Sequence, residues 1–363
     1  MPLEYQVFTK PVGTWCNLDC AYCYAIPHGD SRRMPEEVLE AAIRQQIDCA
    51  PGGVIPFAWH GGEPALYGLG RFRRIVALEK RHCPPDREIQ NGIQTNGLLL
   101  DGEWCRFLAD EGFRVGLSLD GPARFHDLYR VAPGGGATHA LVMGACERLR
   151  RRGVPVEALA VIHSGNAPFP VEVYDFFVDA GFGDLSFLPL VEPVPGGGVS
   201  GRSVTAEGWG GFLCAVFDRW LERDIGRVRV QLFEEAARAA FGLGHTLCVL
   251  RPECNVPVID PRGDVYSCDH FVRPDCRLGN ILETPLGELI GGERQRRFGR
   301  AKTETLPGEC RRCPVLDMCG GGCPKDRILP SREGKRNYLC AGYRRFFTHC
   351  RPFVDALATL HRA

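Results

Sequence analysis

The stretch WCNLDCAYCY, residues 15–24, sets Cys16, Cys20 and Cys23 in the spacing CxxxCxxC on one short loop. Three thiolates so close together suit three irons of a [4Fe–4S] cluster and leave the fourth iron without a protein ligand. An open iron binds a small molecule through an amine and a carboxylate. Zinc fits less well, because structural zinc takes four protein ligands and is commonly held by paired CxxC knuckles. The surrounding chain also points to metal. It has 18 cysteines among 363 residues. Its start, MPLEYQVFTKP, lacks a basic region followed by an apolar stretch, so no secretory signal is expected and a cytoplasmic protein is. Cytoplasmic thiols stay reduced, and a chain of this length builds a core without disulfide staples.

Outward from this loop the chain alternates strand-like and helix-like segments as far as about residue 235. EYQVFTKPVG, GVIPFAWHGGEP, REIQNGIQTNG, FRVGLSLDGP, VPVEALAVIHS and DLSFLPLVE read as strands running into turns. PEEVLEAAIRQQIDCA, RFRRIVALEKRHC, GEWCRFLADEG, HALVMGACERLRRRG, FPVEVYDFFVDAG and EGWGGFLCAVFDRWLERD read as the helices between them. This rhythm predicts an α/β fold, a partial (β/α)6 barrel over residues 1–235. The Cys loop, HGGEP, QTNG and SLDGP each follow a strand, where such a fold gathers its chemistry. EPVPGGGVSGRS (192–203) reads as a lid or a mobile connector.

Near residue 236 the rhythm breaks. Cysteines become dense, helices are expected to be short, and VPVIDPRGDVYSC reads as a β-hairpin. A small Cys-rich α+β domain is predicted over 236–363. Cys310, Cys313, Cys319 and Cys323 form CxxC-x5-C-x3-C, Cys340 follows, and Cys248, Cys254 and Cys268 precede. Eight thiols suffice for two fully ligated [4Fe–4S] clusters, but also for a pair of zinc sites, so the count alone does not decide. Gly320–Gly322 would let the backbone wrap closely between Cys319 and Cys323, and Gly279 and Asn280 would make a turn that closes the domain. Cys49, Cys83, Cys105, Cys146, Cys214, Cys276 and Cys350 read as small buried hydrophobes. Lys plus Arg equals Asp plus Glu, 44 each, which argues against nucleic-acid or anionic-membrane binding through bulk charge. No apolar run reaches the roughly 18–20 residues of a membrane helix.

CxxxCxxC, with Tyr22 before its third cysteine, resembles the radical S-adenosylmethionine superfamily. The resemblance implies that HGGEP (Gly61, Gly62, Glu63) binds the methionine amine. QTNG (Asn96) and SLDG (Ser118, Asp120) would hold its carboxylate and ribose, and Arg130 would pair with the carboxylate. A reduced cluster would then cleave S-adenosylmethionine to a 5′-deoxyadenosyl radical that removes a hydrogen atom from substrate. The C-terminal cysteines resemble a SPASM domain. That resemblance implies an inner auxiliary cluster on Cys248, Cys254, Cys268 and Cys323 and an outer one on Cys310, Cys313, Cys319 and Cys340, three [4Fe–4S] clusters in all.

Within that group the chain is similar to the anaerobic sulfatase-maturating enzymes, from TKPVGTWCNLDC to YLCAGYRRFF. They oxidise a Cys or Ser of a sulfatase to formylglycine, which implies a peptide or protein substrate, an electron donor such as flavodoxin or ferredoxin, and a monomer. Asp269, directly after Cys268, would be the base. Two positions depart from that pattern. Ala25 stands where an aromatic pair would continue from Tyr24, and His60 stands where Gln would precede GGEP. His60 reads as a candidate proton carrier near neutral pH. Maturation of a ribosomally made peptide through a thioether or C–C bond, or modification of a small molecule, are alternatives. Cys16 lies too near the start for a separate precursor-binding domain to be expected before it. The open-iron motif argues against a non-catalytic electron-transfer protein.

Overall fold

The computed structural model describes residues 6–24 and 32–362. The elements run β1 (Phe8–Thr9), α1 (Glu36–Cys49), β2 (Val54–Trp59), α2 (Leu69–His82), β3 (Glu88–Thr95), α3 (Gly102–Asp110), β4 (Arg114–Ser118), α4 (Ala123–Tyr129), α5 (His139–Arg151), β5 (Val156–Ile162), α6 (Pro170–Asp179), β6 (Asp184–Pro189), α7 (Ala206–Arg223) and β7 (Arg229–Val230). There follow α8 (Gln231–Ala240), β8 (Val258–Ile259), β9 (Asp264–Tyr266), β10 (Arg277–Asn280), α9 (Leu286–Gly291), α10 (Glu293–Glu304), α11 (Gly308–Arg311), α12 (Leu316–Cys319), β11 (Arg327–Ser331), β12 (Gly334–Asn337) and α13 (Cys340–Arg362).

Strands β1 to β7 lie side by side in chain order and pair in parallel, as the alternation predicts. Side chains alternate between the two faces of each strand, and helices cover the apolar one. Local chemistry starts the helices: Asp101 accepts from the amides of Glu103 and Trp104 at the front of α3, and Thr205 accepts from Gly208 at the front of α7. The sheet does not stop at β1. β8 pairs parallel with β1, Thr9 opposite Ile259, and β9 and β10 extend the same sheet antiparallel. Two apolar cores fill the molecule, and residues beyond 235 enter both. Ile259, Val265 and Ile281 join one, and Leu250, Met318 and Phe346 the other.

Three local readings need correction. Leu278, Gly279 and Asn280 are not a turn; they form the edge strand β10. The helices after 236 are not all short, since α13 has 23 residues. Its buried Tyr343, Phe346, Phe347, Cys350 and Val354 repeat at helical spacing, a signal hidden by the dense cysteines around it. The 192–203 segment is tied down, with Arg202 bonded twice to Glu192 and Pro193 bridged to Val199. As read, Cys105, Cys146, Cys214, Cys276 and Cys350 are buried, while Cys49 and Cys83 are half-buried.

Candidate active site

The loop after β1 carries Cys16, Cys20 and Cys23 over the ends of the strands. Backbone bonds pin it: Asp19 N to Val131 O (2.8 Å), Ala21 N to Tyr129 O (3.0 Å), Gly62 N to Gly13 O (2.8 Å) and Glu63 N to Trp15 O (2.8 Å). The last two explain the paired glycines. A Cβ on Gly62 would stand 2.0 Å from the Trp15 carbonyl oxygen, so the Gly-Gly turn is required by the cysteine loop lying on it. Cys16 Sγ accepts from Leu18 N (3.4 Å) and from Asn96 Nδ2 (3.7 Å). Burial pushes the Cys16 thiol up to about 11 and the Cys20 thiol to about 12, and each is raised further by the neighbouring thiols of the trio. Three convergent sulfurs, one already receiving N–H groups, fit a cluster edge.

Glu63 is wholly buried and already committed. One carboxylate oxygen accepts from Ala65 N (2.9 Å) and Thr95 Oγ1 (2.8 Å), the other from Asn96 N (2.8 Å). A carboxylate has about four acceptor sites, so one remains for a ligand amine. Burial raises this carboxyl to about 7, against the pull of its three donors. Ser118, at the end of β4, accepts from Gln94 Nε2 (3.0 Å). Asp120 is buried at the centre of a second group. It takes the Tyr22 hydroxyl and the Val161 amide (2.8 Å), and its Oδ2 forms an ion pair with Arg130 Nε (3.0 Å). Arg130 also lies over the Tyr22 ring. Burial opposes its charge, but Asp120 more than restores it. The pairing with Asp120 was not anticipated for Arg130. It leaves the outer guanidinium nitrogens, and not the whole fork, for a carboxylate.

The remaining eight cysteines gather as two sets. Cys268 is raised by burial and by the thiols of Cys323 and Cys254; Cys254 and Cys323 also feel Cys248. Cys310 is raised chiefly by its hydrogen bond to Cys340 and also feels Cys319, which in turn feels Cys340 and Cys313. By these interactions the thiols fall into the sets {248, 254, 268, 323} and {310, 313, 319, 340}. Among the described residues no three His, Cys, Asp or Glu side chains stand close enough to hold a single metal ion. Each set supplies four free thiols, one for each iron of a [4Fe–4S] cluster. The donor sets therefore fit clusters. Gly320, Gly321 and Gly322 all have positive φ. Their added Cβ atoms would meet Leu250 O, Leu306 and Asn337, so protein packing by itself already demands the glycines.

Between the N-terminal trio and the 248/254/268/323 set lies Asp269. It is buried, forms an ion pair with Lys10 Nζ and accepts from the Tyr24 hydroxyl. Tyr24 is partly exposed, but its hydroxyl is turned inward onto Asp269 and feels Cys23 and Cys268, so it stands between the two thiol sets. Burial alone would raise the Asp269 carboxyl. The Lys10 ammonium outweighs it and holds the group well below the usual carboxylate range. His60 stacks on Phe8 at 5.0 Å, and its Nδ1 is buried without a hydrogen-bond partner. Burial lowers its pKa and Lys10 adds to this, against Asp269. His270 packs on Tyr24 at 4.7 Å and is itself exposed. Ala25 lies outside the described residues.

The chain matches the Radical SAM superfamily over residues 11–176 and the SPASM iron–sulfur cluster-binding domain over residues 248–314. It is 36% identical to a serine-type anaerobic sulfatase-maturating enzyme of Bacteroides thetaiotaomicron, covering 96% of this chain and 90% of that one. The chain belongs to the anaerobic sulfatase-maturating enzymes. A cysteine-type member from Clostridium perfringens is 32% identical over 96% of both chains. The solved structure of anSMEcpe with bound AdoMet and the Cp18Cys peptide superposes with a TM-score of 0.90 at 31% identity, covering 98% of this chain and 99% of that one.

This sulfatase-maturase homologue is thus a radical S-adenosylmethionine enzyme with an iron–sulfur SPASM domain. Its fold brings together the residues read from motifs: the N-terminal thiols with Asn96, the Glu63 hub with the cysteine loop, and Tyr22 with Asp120 and Arg130. It also brings in Lys10, which the sequence reading missed. Lys10 sits in TKPVG beside a two-residue strand, and nothing in the sequence marks it except its place just after β1. No helix of the described residues is long and apolar enough to cross a membrane.

Proposed function

We propose that this chain oxidises the Cβ of a serine or cysteine side chain, in a peptide segment of a sulfatase, to an aldehyde. The observation that carries the reading is Asp269, buried and held ionised by Lys10 between Cys23 and Cys268. When bound, S-adenosylmethionine and the three clusters supply hydrogen-atom abstraction and an acceptor for one electron.

The protein's own share is binding, orientation and one proton transfer. In this reading Cys16, Cys20 and Cys23 hold the first cluster. Cys248, Cys254, Cys268 and Cys323 hold the inner auxiliary cluster, and Cys310, Cys313, Cys319 and Cys340 the outer one. Glu63 offers its one free acceptor site to the methionine amine, and Arg130 its outer nitrogens to the carboxylate. Asn96, Ser118, Asp120 and Tyr22 line the same space, with Gly61 and Gly62 keeping the backbone close. Asp269 takes the proton of the substrate hydroxyl or thiol as the Cβ becomes a carbonyl or thiocarbonyl carbon, and a thiocarbonyl then takes its oxygen from water and releases hydrogen sulfide. Its carboxylate is ready without prior deprotonation, and the nearby ammonium makes it a weaker base until substrate entry loosens the pair. His60, uncharged and with a free Nδ1, is the second proton acceptor within this group. Residues 1–235 serve the cofactor and residues 236–363 the auxiliary clusters. A flavodoxin- or ferredoxin-type donor reduces the monomeric enzyme.

The test is anaerobic incubation of the reconstituted protein with S-adenosylmethionine and peptides carrying Cys-x-Pro-x-Arg or Ser-x-Pro-x-Arg. Aldehyde, read by hydrazide labelling and mass spectrometry, is expected from at least one, and the ratio assigns the residue. Cleavage of S-adenosylmethionine with no aldehyde from either peptide would overturn the substrate assignment.

A further inference from the structure

Two cations are buried where the two C-terminal thiol sets meet, and neither has a salt bridge among the described residues. Lys302, on α10, is 1% exposed. Its Nζ donates to the carbonyls of Cys248 and Val249, both at 2.9 Å. The charged groups acting on it are the thiols of Cys254, Cys323 and Cys248, together with Arg327. Arg327, the first residue of β11, is 8% exposed. Its Nη1 donates to Lys302 O (2.6 Å) and Thr305 Oγ1 (3.2 Å), while Nε and Nη2 are buried with no acceptor. Nη2 lies 3.1 Å from where a Cβ of Gly321 would stand, inside the wrap between Cys319 and Cys323. The thiols acting on it, Cys254, Cys310, Cys323 and Cys319, come from both sets. Lys325 shows the contrast: it is neutralised by Asp326 at 2.6 Å.

Burying an unpaired cation costs several kcal/mol, and buried N–H groups without acceptors add to that. A compensating negative charge is therefore required beside them, and only the thiols supply it. A thiolate-ligated cluster is net negative and becomes one unit more so on reduction. Its affinity for an electron is set by nearby charge and by hydrogen bonds to its sulfurs. We propose that Lys302 and Arg327 are positioning residues that raise the reduction potentials of both auxiliary clusters, Lys302 acting mainly on the inner one, with Cys319 its one contact to the outer set, and Arg327 on both. The proposal rests on the cluster assignment given above. It gives the inner cluster the electron affinity that oxidation of a substrate side chain asks of it.

The experiment is a potentiometric titration of the full reconstituted chain, followed by electron paramagnetic resonance, without substrate. Lys302→Met and Arg327→Gln remove charge; Lys302→Arg and Arg327→Lys keep it. Iron is counted first. The neutral variants are expected to lower an auxiliary midpoint by at least tenfold in the redox equilibrium, about 59 mV for one electron. Lys302→Met should move one auxiliary cluster more than the other and Arg327→Gln both, while the charge-keeping variants stay near the wild type. Unmoved potentials, or equal shifts in charge-keeping and neutral variants, would overturn the proposal. Where a neutral variant loses iron, retention by its charge-keeping partner supports the proposal and loss by both overturns it. A wild type holding iron for the first cluster alone would instead remove the cluster assignment, a separate result that needs no substrate to see.

Discussion

Lys10→Met isolates the least expected part of the site. The substitution keeps much of the side-chain volume and removes the cation paired with Asp269, both partners being buried. Deleting one member of a buried ion pair costs about 3–5 kcal/mol. At about 1.36 kcal/mol per pKa unit, that is a rise of roughly 2–4 units in the Asp269 carboxyl, from well below the usual range to at or above its ordinary value of about 3.9. The sign follows from linkage. In the wild type the depressed carboxyl contributes stability that is present above the unfolded pKa and lost as pH falls through the folded one. In Lys10→Met the raised carboxyl contributes only below the unfolded pKa and loses that as pH rises. The melting temperatures of the two proteins should therefore lie closest in strong acid, draw apart as pH rises toward about 4, and stay apart above it. Aldehyde formed per S-adenosylmethionine cleaved should gain an acid limb that the wild type lacks. A double substitution with Asp269→Asn supplies the control, because removing both charges should restore much of the stability. A Lys10→Met protein with the wild-type profile and melting behaviour would refute the reasoning, as would a double variant no more stable than Lys10→Met.

Other outcomes follow from the same geometry. Asp269→Asn should still cleave S-adenosylmethionine while aldehyde formation falls about a hundred- to ten-thousand-fold; product at the wild-type rate would show the group to be structural. Glu63→Gln can keep its amide oxygen toward Ala65 N and Thr95 Oγ1 but then sets its NH2 against Asn96 N, so the cofactor-free protein should lose about 1–3 kcal/mol, and unchanged melting would mean that Glu63 serves the ligand alone. The raised Glu63 carboxyl stabilises fully below 4.5 and loses this as pH rises through about 7, so Glu63→Gln should also flatten cofactor-free stability over that interval. Replacing Cys16, Cys20 and Cys23 with Ala should remove about a third of the iron, one cluster of three, and all cleavage of S-adenosylmethionine, as read by iron analysis and chromatography.

The strands, most helices and the motif ends were legible because they rest on local signals: period-two and period-3.6 patterning, Gly-rich turns and cysteine spacing. What was not legible is what depends on which distant strand lies alongside. LGNI looks like a turn by composition, yet Asn280 pairs with Asp264 across the sheet edge. Gly62 looks like a ligand-binding glycine, and its need is set by the Trp15 carbonyl, far from it in sequence. Arg130 reads as a basic group for a carboxylate, but its Asp120 partner becomes visible only when the end of α4 is seen to fold back onto the turn after β4. Lys302 and Arg327 carry no motif, since a buried cation looks like a surface one until its burial is known.

The position of Asp269 shows why the two parts of the chain act as one. Thr9 pairs with Trp59 on one side and with Ile259 on the other. Lys10 and His60 therefore leave adjacent strands at the same level, and Lys10 N bonds to Ile259 O at 2.9 Å. Cys268 bridges to Val256, just before β8, which brings Asp269 to that same level from the C-terminal side. A one-residue slip of β8 against β1 would turn every side chain of that strand to the opposite face. The register is held by Val258 and Ile259, both wholly buried. The Lys10–Asp269 pair thus takes one residue from each side of position 235, across a sheet and two cores that continue through it. A boundary drawn from cysteine density marks where the clusters' ligands begin, but it is not a seam along which the fold can be cut. A fragment ending near 235 would leave Lys10 without its carboxylate and β1 with one edge unpaired, a liability that exposed strands carry in any sheet.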